Sequence, residues 1–311
     1  MSTFAPSYIS LYREGILHER YRAALELIKE CTLCPRECGV NRLDDELGIC
    51  RTGRRARVAS FHPHFGEESP LVGSHGSGTI FVSYCNLLCS FCQNFEISHL
   101  GEGQEVEAED LAIMMLTLAK KGCHNINFVT PTHVVPQILE GLIMAVEHGL
   151  NVPLVYNSGG YDKIETLQIL DGVFDIYMPD FKFWDAQWSK AYCNAPDYRE
   201  YTTEAIKEMH RQVGNLLINH QGIAERGLLV RHLVMPNGIA NTNEVMAFLA
   251  NEISTNTYVN VMDQYRPCGQ SVTDTTIGRR LSRDEFNEAI TIAQKAGLTR
   301  LDPRIRSFRL R

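Results

Sequence analysis

Three cysteines in the stretch CNLLCSFCQN, at Cys85, Cys89 and Cys92, follow a C-x3-C-x2-C spacing with no fourth cysteine close behind them. Three thiolates satisfy three irons of a four-iron, four-sulfur cluster and leave the fourth iron open to an exchangeable small molecule. Zinc on three thiolates plus a remote ligand is the competing reading. A second group, Cys31, Cys34, Cys38 and Cys50 in CTLCPRECGVNRLDDELGIC, offers four thiolates to zinc or to an iron–sulfur cluster, with Gly39, Gly48 and Gly53 permitting sharp turns. Its bland alternative is a set of reduced structural cysteines or a disulfide pair. Cys123, Cys193 and Cys268 lie too far apart in sequence to suggest a cluster; Cys268 is a candidate to face substrate and Cys123 reads as a packing residue.

Such groups need elements to position them, and from about residue 79 one rhythm repeats. Short apolar strands, TIFVSY, NINFVT, VPLVYN, VFDIYM, LLVRHLVM and TYVNVMD, alternate with helical stretches such as EDLAIMMLTLAKKG, where Leu111, Met114, Met115 and Leu118 recur at helical spacing. A further helix is expected over Thr202 to His220. Six strands with helical crossovers imply a parallel sheet, and the α/β fold expected is a partial (β/α)6 TIM-like barrel. Catalytic groups gather at the C-terminal ends of such strands, and the polar segments CNLLCSFCQN, TPTH, NSGGYD, PDFK, MPNG and QYRP fall there. The expected organisation is a helical, cysteine-rich N-terminal extension over 1–75, the partial barrel over 76–270, and a C-terminal helix and tail over 271–311 packed on the barrel. Phe286, Ile290 and Ala293 would be its contacts, and the terminal RIRSFRLR is read as solvated or locally docked.

Composition narrows the function classes. The chain has 311 residues, 44% of them hydrophobic and 22% charged, and no apolar run nears the roughly 20 residues that span a bilayer. A formal charge of −7 gives no electrostatic reason to expect a nucleic-acid partner. The opening MSTFAPSYISLYREG lacks a basic stretch followed by an apolar core, so cytoplasmic residence is expected. Ten cysteines, seven of them in two groups, suit metal ligation in a reducing compartment better than a disulfide scaffold.

The sequence resembles the radical S-adenosylmethionine (SAM) superfamily, in particular an uncharacterised iron–sulfur branch related to pyruvate formate-lyase activating enzyme. The resemblance rests on Cys85, Cys89 and Cys92, with Phe91 in the aromatic position before the last cysteine, and on HFGEE, GSGTIF, NINFVTPTHVVPQI, VYNSGGYD, IYMPDFK and VRHLVMPN between residues 64 and 237. It implies a [4Fe-4S] cluster that binds SAM at its open iron and cleaves it by one electron to a 5′-deoxyadenosyl radical, which abstracts hydrogen from substrate. It also implies a reductant such as flavodoxin or ferredoxin, and it makes glycyl-radical installation on a partner protein the leading specific activity. Radical modification or isomerisation of a small molecule or peptide is the alternative within enzymes. A non-catalytic iron–sulfur electron-transfer or structural protein is the alternative outside them.

The resemblance also nominates cofactor contacts. Thr130 and Thr132 stand where the superfamily commonly carries a Gly-Gly-Glu-like segment; a plain strand-to-helix turn, capped by Thr132, is the alternative. Asn157 and Ser158 align with an Asp-Thr-like pair, and Asp180 and Lys182 of PDFK with an Asp-Leu-Lys segment, against a polar turn and an ordinary ion pair. Arg231 within the fifth strand would bind the cofactor carboxylate or a nearby acidic side chain, and Gln264 after the sixth would meet ribose or adenine. His62, His64, Glu67 and Glu68 suggest a further metal site less well than an ordering role in the link before the first strand.

Overall fold

The computed structural model describes residues 4–303; the basic terminal segment RIRSFRLR lies outside the described residues. In chain order the elements are α1 (Tyr8–Arg13), α2 (Ile16–Glu26), β1 (Ala56–His64), α3 (Ser69–Val72), β2 (Ser77–Val82), α4 (Phe95–Ser98), β3 (Gln104–Val106), α5 (Ala108–Lys120), β4 (Ile126–Val129) and α6 (Val135–Glu147). They continue with β5 (Leu154–Ser158), α7 (Ile164–Ile169), β6 (Ile176–Pro179), α8 (Ala186–Cys193), α9 (Tyr198–Val213), β7 (Leu217–Ile218), β8 (Ala224–Leu233), α10 (Thr242–Phe248), β9 (Tyr258–Met262) and α11 (Arg283–Lys295).

The sheet runs β3-β1-β2-β4-β5-β6-β8, with β9 continuing beside β8 and β7 pairing β8 antiparallel. The six expected strands are β2, β4, β5, β6, β8 and β9, and each pairs its neighbour in parallel. Their apolar side chains leave almost no solvent-facing edge, as a parallel sheet covered by crossover helices requires. This mostly parallel α/β sheet is the architecture of a partial barrel. Helix α5 starts at a capping box between Glu107 and Asp110 and buries Leu111, Ala112, Met115 and Leu118; α6 behind it is apolar on most sides because α2 covers its outer face. One hydrophobic core takes in Tyr8 and Leu17 of the N-terminal helices, the barrel strands, and Phe286 and Ala293 of α11.

Two expectations are corrected. The helix expected to reach His220 stops at Val213, because Gly214 takes a left-handed φ of 69°, and Leu217–Ile218 then pairs with β8. The segment before the first barrel strand is no mere link: β1 lies antiparallel to β2 from Val58 to His64. Its outer half has alternate residues only partly covered, so it lacks the two-residue hydrophobic alternation that marks a strand in sequence. The short helices α1 and α8 also carry too few turns to show a period.

The N-terminus is pinned to the sheet by one buried carboxylate. Asp175, fully buried, accepts the backbone N–H and the hydroxyl of Ser7, each at 3.0 Å, while Arg226 donates to that hydroxyl at 2.8 Å. Burial pushes the carboxyl from an ordinary 3.8 up to about 6, against the lowering effect of its donors. A raised carboxyl pKa favours the folded state in its protonated form. The contribution is therefore fully present below pH ~4 and is lost as pH rises through about 6. Across that window the wild-type protein should lose roughly 3 kcal/mol relative to Asp175→Asn, which keeps an acceptor for Ser7 but cannot ionise. Urea unfolding from pH 4 to 7 reads this difference; parallel stability curves would contradict it.

Candidate active site

The loop from Cys85 to Cys92 leaves the end of β2 with Tyr84 and Leu88 at left-handed φ values of 67° and 52°. Contacts to each sulfur hold it. Cys85 Sγ accepts the N–H of Leu87 at 3.3 Å, Cys92 Sγ accepts the Ser98 hydroxyl at 3.2 Å, and Cys193 Sγ stands 3.3 Å from Cys89 Sγ as a donor. Phe91, buried, wedges edge-on against Phe183 and Tyr192. Arg36 from the N-terminal segment donates to the carbonyls of Asn86 and Cys193, both at 2.8 Å, and so clamps this loop to the end of α8.

The loop forms one wall of an open cavity of about 380 Å³ across the strand ends. Cys85, Cys89, Cys92, Phe91, Thr130, Asn157, Ser158, Asp180, Lys182, Arg231 and Gln264 all line it. Among the nominated cofactor contacts, Thr132 alone is not brought there. It is buried with its hydroxyl donated at 2.7 Å to Asp162, which also takes Tyr156 and Ser158 in a closed network, and it makes no side-chain cap. Ser158 reaches the cavity with its hydroxyl already committed to Asp162 and to the N–H of Gly160. Tyr265, next to Gln264, turns inward to donate to the Ile277 carbonyl at 2.7 Å.

A charged cluster on the cavity wall joins three strands. Asp180 takes Lys182 on one oxygen and Arg231 Nε on the other, the latter at 2.7 Å. Arg231 also donates to Asn157 Oδ1 at 2.7 Å and faces Glu67 at 3.8 Å and Glu68 at 4.0 Å. Burial opposes the charge on Asp180, but Arg231 and Lys182 overcome it and hold the carboxyl below its usual range. Gly160 adopts φ 80°, and a Cβ there would lie 2.2 Å from the Asp180 carbonyl, so only glycine lets the two loops approach this closely. Thr130 holds φ 63° without being glycine, which places backbone strain at the cavity rim.

Three residues named in the sequence analysis enter the site in a role it did not assign them. Glu67 and Glu68 enter because β1 docks on β2, and Asn260 of β9 fixes Glu68 at 2.8 Å. Cys193 sits 104 positions from Cys89, and no spacing rule links them. His62 and His64 pack around the Phe81 ring.

Burial pushes the Cys85 thiol up to about 12, with Cys89 adding to it, and raises Cys92 likewise. Such thiols are poor free nucleophiles; they become thiolates only against a strongly cationic ligand. No group of three His, Cys, Asp or Glu side chains among the described residues is arranged to hold a single metal ion. Three thiols lining one open polar cavity fit a [4Fe-4S] group that leaves one iron to a ligand.

Replacing Arg231 by Met leaves Asp180 with one cation and removes the guanidinium that faces Glu67 and Glu68, and should cost on the order of 3–5 kcal/mol in urea unfolding. A cost under about 1 kcal/mol would mean that the cluster behaves like an exposed ion pair.

Comparison with known proteins agrees with this geometry. The chain is 32% identical over 295 residues to the uncharacterized protein MJ0674 of Methanocaldococcus jannaschii, covering 92% of this chain and 80% of that one. The sequence profile of the Radical SAM superfamily matches residues 79–225. That match opens in the first parallel strand and runs through the three-cysteine loop and the next three parallel strands, and the chain belongs to the radical SAM superfamily.

Proposed function

We propose that the protein is a radical SAM enzyme whose target is a C–H bond of a partner protein or peptide, with glycyl-radical installation as the leading version. The observation that carries the radical SAM reading is the convergence of Cys85, Cys89 and Cys92 with Asp180, Lys182 and Arg231 on one cavity at the strand ends. A four-iron cluster on the three thiolates, with SAM beside it, supplies one-electron reductive cleavage of the sulfonium and, from it, hydrogen-atom abstraction. The specific activity rests on the likeness of the sequence blocks to the pyruvate formate-lyase activating enzyme branch.

The chain's own residues would bind and orient. Lys182 and Arg231 present two cations to a carboxylate ligand, and Asp180 fixes both. Asn157 spends Oδ1 on Arg231, and its Nδ2 makes no bond within the described residues, so it is available to a ligand. Gly159 lets backbone approach the ligand, while Phe91 and Leu87 keep water from the thiol side. Reactive carbon radicals are quenched unless formed in contact with their target, so this positioning is the protein's main contribution.

The protein, reconstituted anaerobically and reduced with dithionite, should convert SAM to 5′-deoxyadenosine, and Cys89→Ala should not. A loaded, reducible cluster that forms none at long incubation would remove the enzyme reading in favour of electron transfer. Turnover of a small molecule with no protein partner would replace the partner-protein version. Within the same assay series, Cys193→Ala should shift the cluster's midpoint potential to more negative values, since it removes a donor to the Cys89 sulfur. An unchanged potential in a potentiometric titration would reduce Cys193 to packing.

A further inference from the structure

Cys31, Cys34, Cys38 and Cys50 line a second, smaller cavity under the N-terminal segment, together with Arg36, Arg42 and His133. Cys31, Cys34 and Cys50 are only 6%, 6% and 7% exposed. The loop that carries them folds back on itself through Cys31 N–H to the Val40 carbonyl at 2.9 Å and Gly39 N–H to the Cys31 carbonyl at 3.1 Å. Ile49 N–H points at Cys38 Sγ at 3.4 Å, and a Cβ on Gly48 would meet that sulfur at 2.7 Å.

Two observations besides the cysteines point to a ligand. The first is charge. Arg42 is 1% exposed, its guanidinium is bonded to the carbonyls of Gly53 and His133 and lies 4.0 Å from Cys31 Sγ, and no carboxylate among the described residues pairs with it. Arg36, on the same cavity, is likewise bonded to carbonyls and to no carboxylate. A buried cation with no anion is costly. Four thiolates around a doubly positive metal core carry a net charge of about −2, which would offset the buried guanidinium of Arg42 and the half-buried one of Arg36.

The second is His133. Its Nε2 lies 2.9 Å from the Ser83 carbonyl, an acceptor, so Nε2 carries the proton and Nδ1 is left with a lone pair and no partner in a side chain 1% exposed. An imidazole fixed through one nitrogen by a backbone carbonyl is the arrangement found in metal-bound histidines.

We propose that Cys31, Cys34, Cys38 and Cys50 hold a second metal centre of tetrathiolate type, either a zinc ion or an iron–sulfur cluster, with His133 Nδ1 at its edge. Zinc would draw the four sulfurs inward, since no three stand ready for a single ion, whereas an iron–sulfur core would hold them apart. Either way the centre is within one side chain of the catalytic loop. Arg36, two residues after Cys34, reaches the carbonyls of Asn86 and Leu87, between Cys85 and Cys89. Closure of the cage therefore fixes the clamp on that loop.

The test separates this centre from the barrel's own. The full-length Cys85→Ala/Cys89→Ala/Cys92→Ala variant, purified anaerobically, should retain about one zinc per chain, or about four irons with matching sulfide, by elemental analysis. Adding Cys34→Ala and Cys50→Ala should remove that metal. To guard against variants that do not fold, intact protein carrying only Cys34→Ala and Cys50→Ala should hold less metal than wild type by the same increment. Zinc or iron that follows the quartet supports the proposal and names the metal. A barrel-triad variant without either metal, or metal content indifferent to the quartet, overturns it. Hydrogen exchange at residues 86–89 should quicken when the quartet is removed; unchanged protection there would overturn the clamp.

Discussion

One carboxylate organises the site. Asp180 follows β6, bridges in register to Arg231 of β8, and donates its N–H to the Ser158 carbonyl at the end of β5. Its side chain holds the two cations that face the cavity, so the backbone that closes the sheet and the charges that would meet a ligand are fixed by the same residue. Buried ion clusters of this kind add little stability compared with an apolar core of equal volume. What they provide here is geometry: neither Lys182 nor Arg231 can swing away without leaving Asp180 partly uncompensated.

The thiols obey the opposite constraint. Around Asp180 opposite charges satisfy one another within the protein, whereas burial pushes Cys34 and Cys50 of one cysteine group, and Cys85 and Cys92 of the other, toward their neutral form. On the proposed reading, each group would complete its electrostatics with a cationic inorganic partner. The fold thus contains one region that is electrostatically closed and two that are chemically open. The two open regions adjoin: Cys50 and Arg51 share a crevice with Leu88 and Ser98, and Ser98 supports Cys92.

The parts that were legible in sequence are those in which one physical rule dominates. The six parallel strands are continuous apolar runs because both faces are covered, and they were read correctly from residues alone; the C-x3-C-x2-C loop, a purely local spacing, falls at the end of the first of them. The strand β1 was not, because its outer half is only partly covered and its pattern loses contrast. The end of α9 was overrun because a single glycine conformation, rather than a change in hydrophobic period, stops it. Thr132 illustrates a third limit. Its position after β4 is the expected one, but whether its hydroxyl serves a ligand or Asp162 depends on a carboxylate 30 positions away. Cys193 is the same problem at longer range: its proximity to Cys89 exists only in the folded sheet.

The Arg36 clamp has a consequence for how the chain reaches this state. It joins a residue near the N-terminus to carbonyls 50 positions later, at Asn86, and 157 positions later, at Cys193. Contacts of such sequence separation close late, since the loop entropy is lost before the contact is gained. During synthesis the cysteine loop emerges with its N-terminal partner already present, yet its cover stays incomplete until α8 has been made. The order of the chain therefore leaves a period in which the loop that carries the three thiols is held to the N-terminal segment alone, before the Cys193 carbonyl completes the clamp.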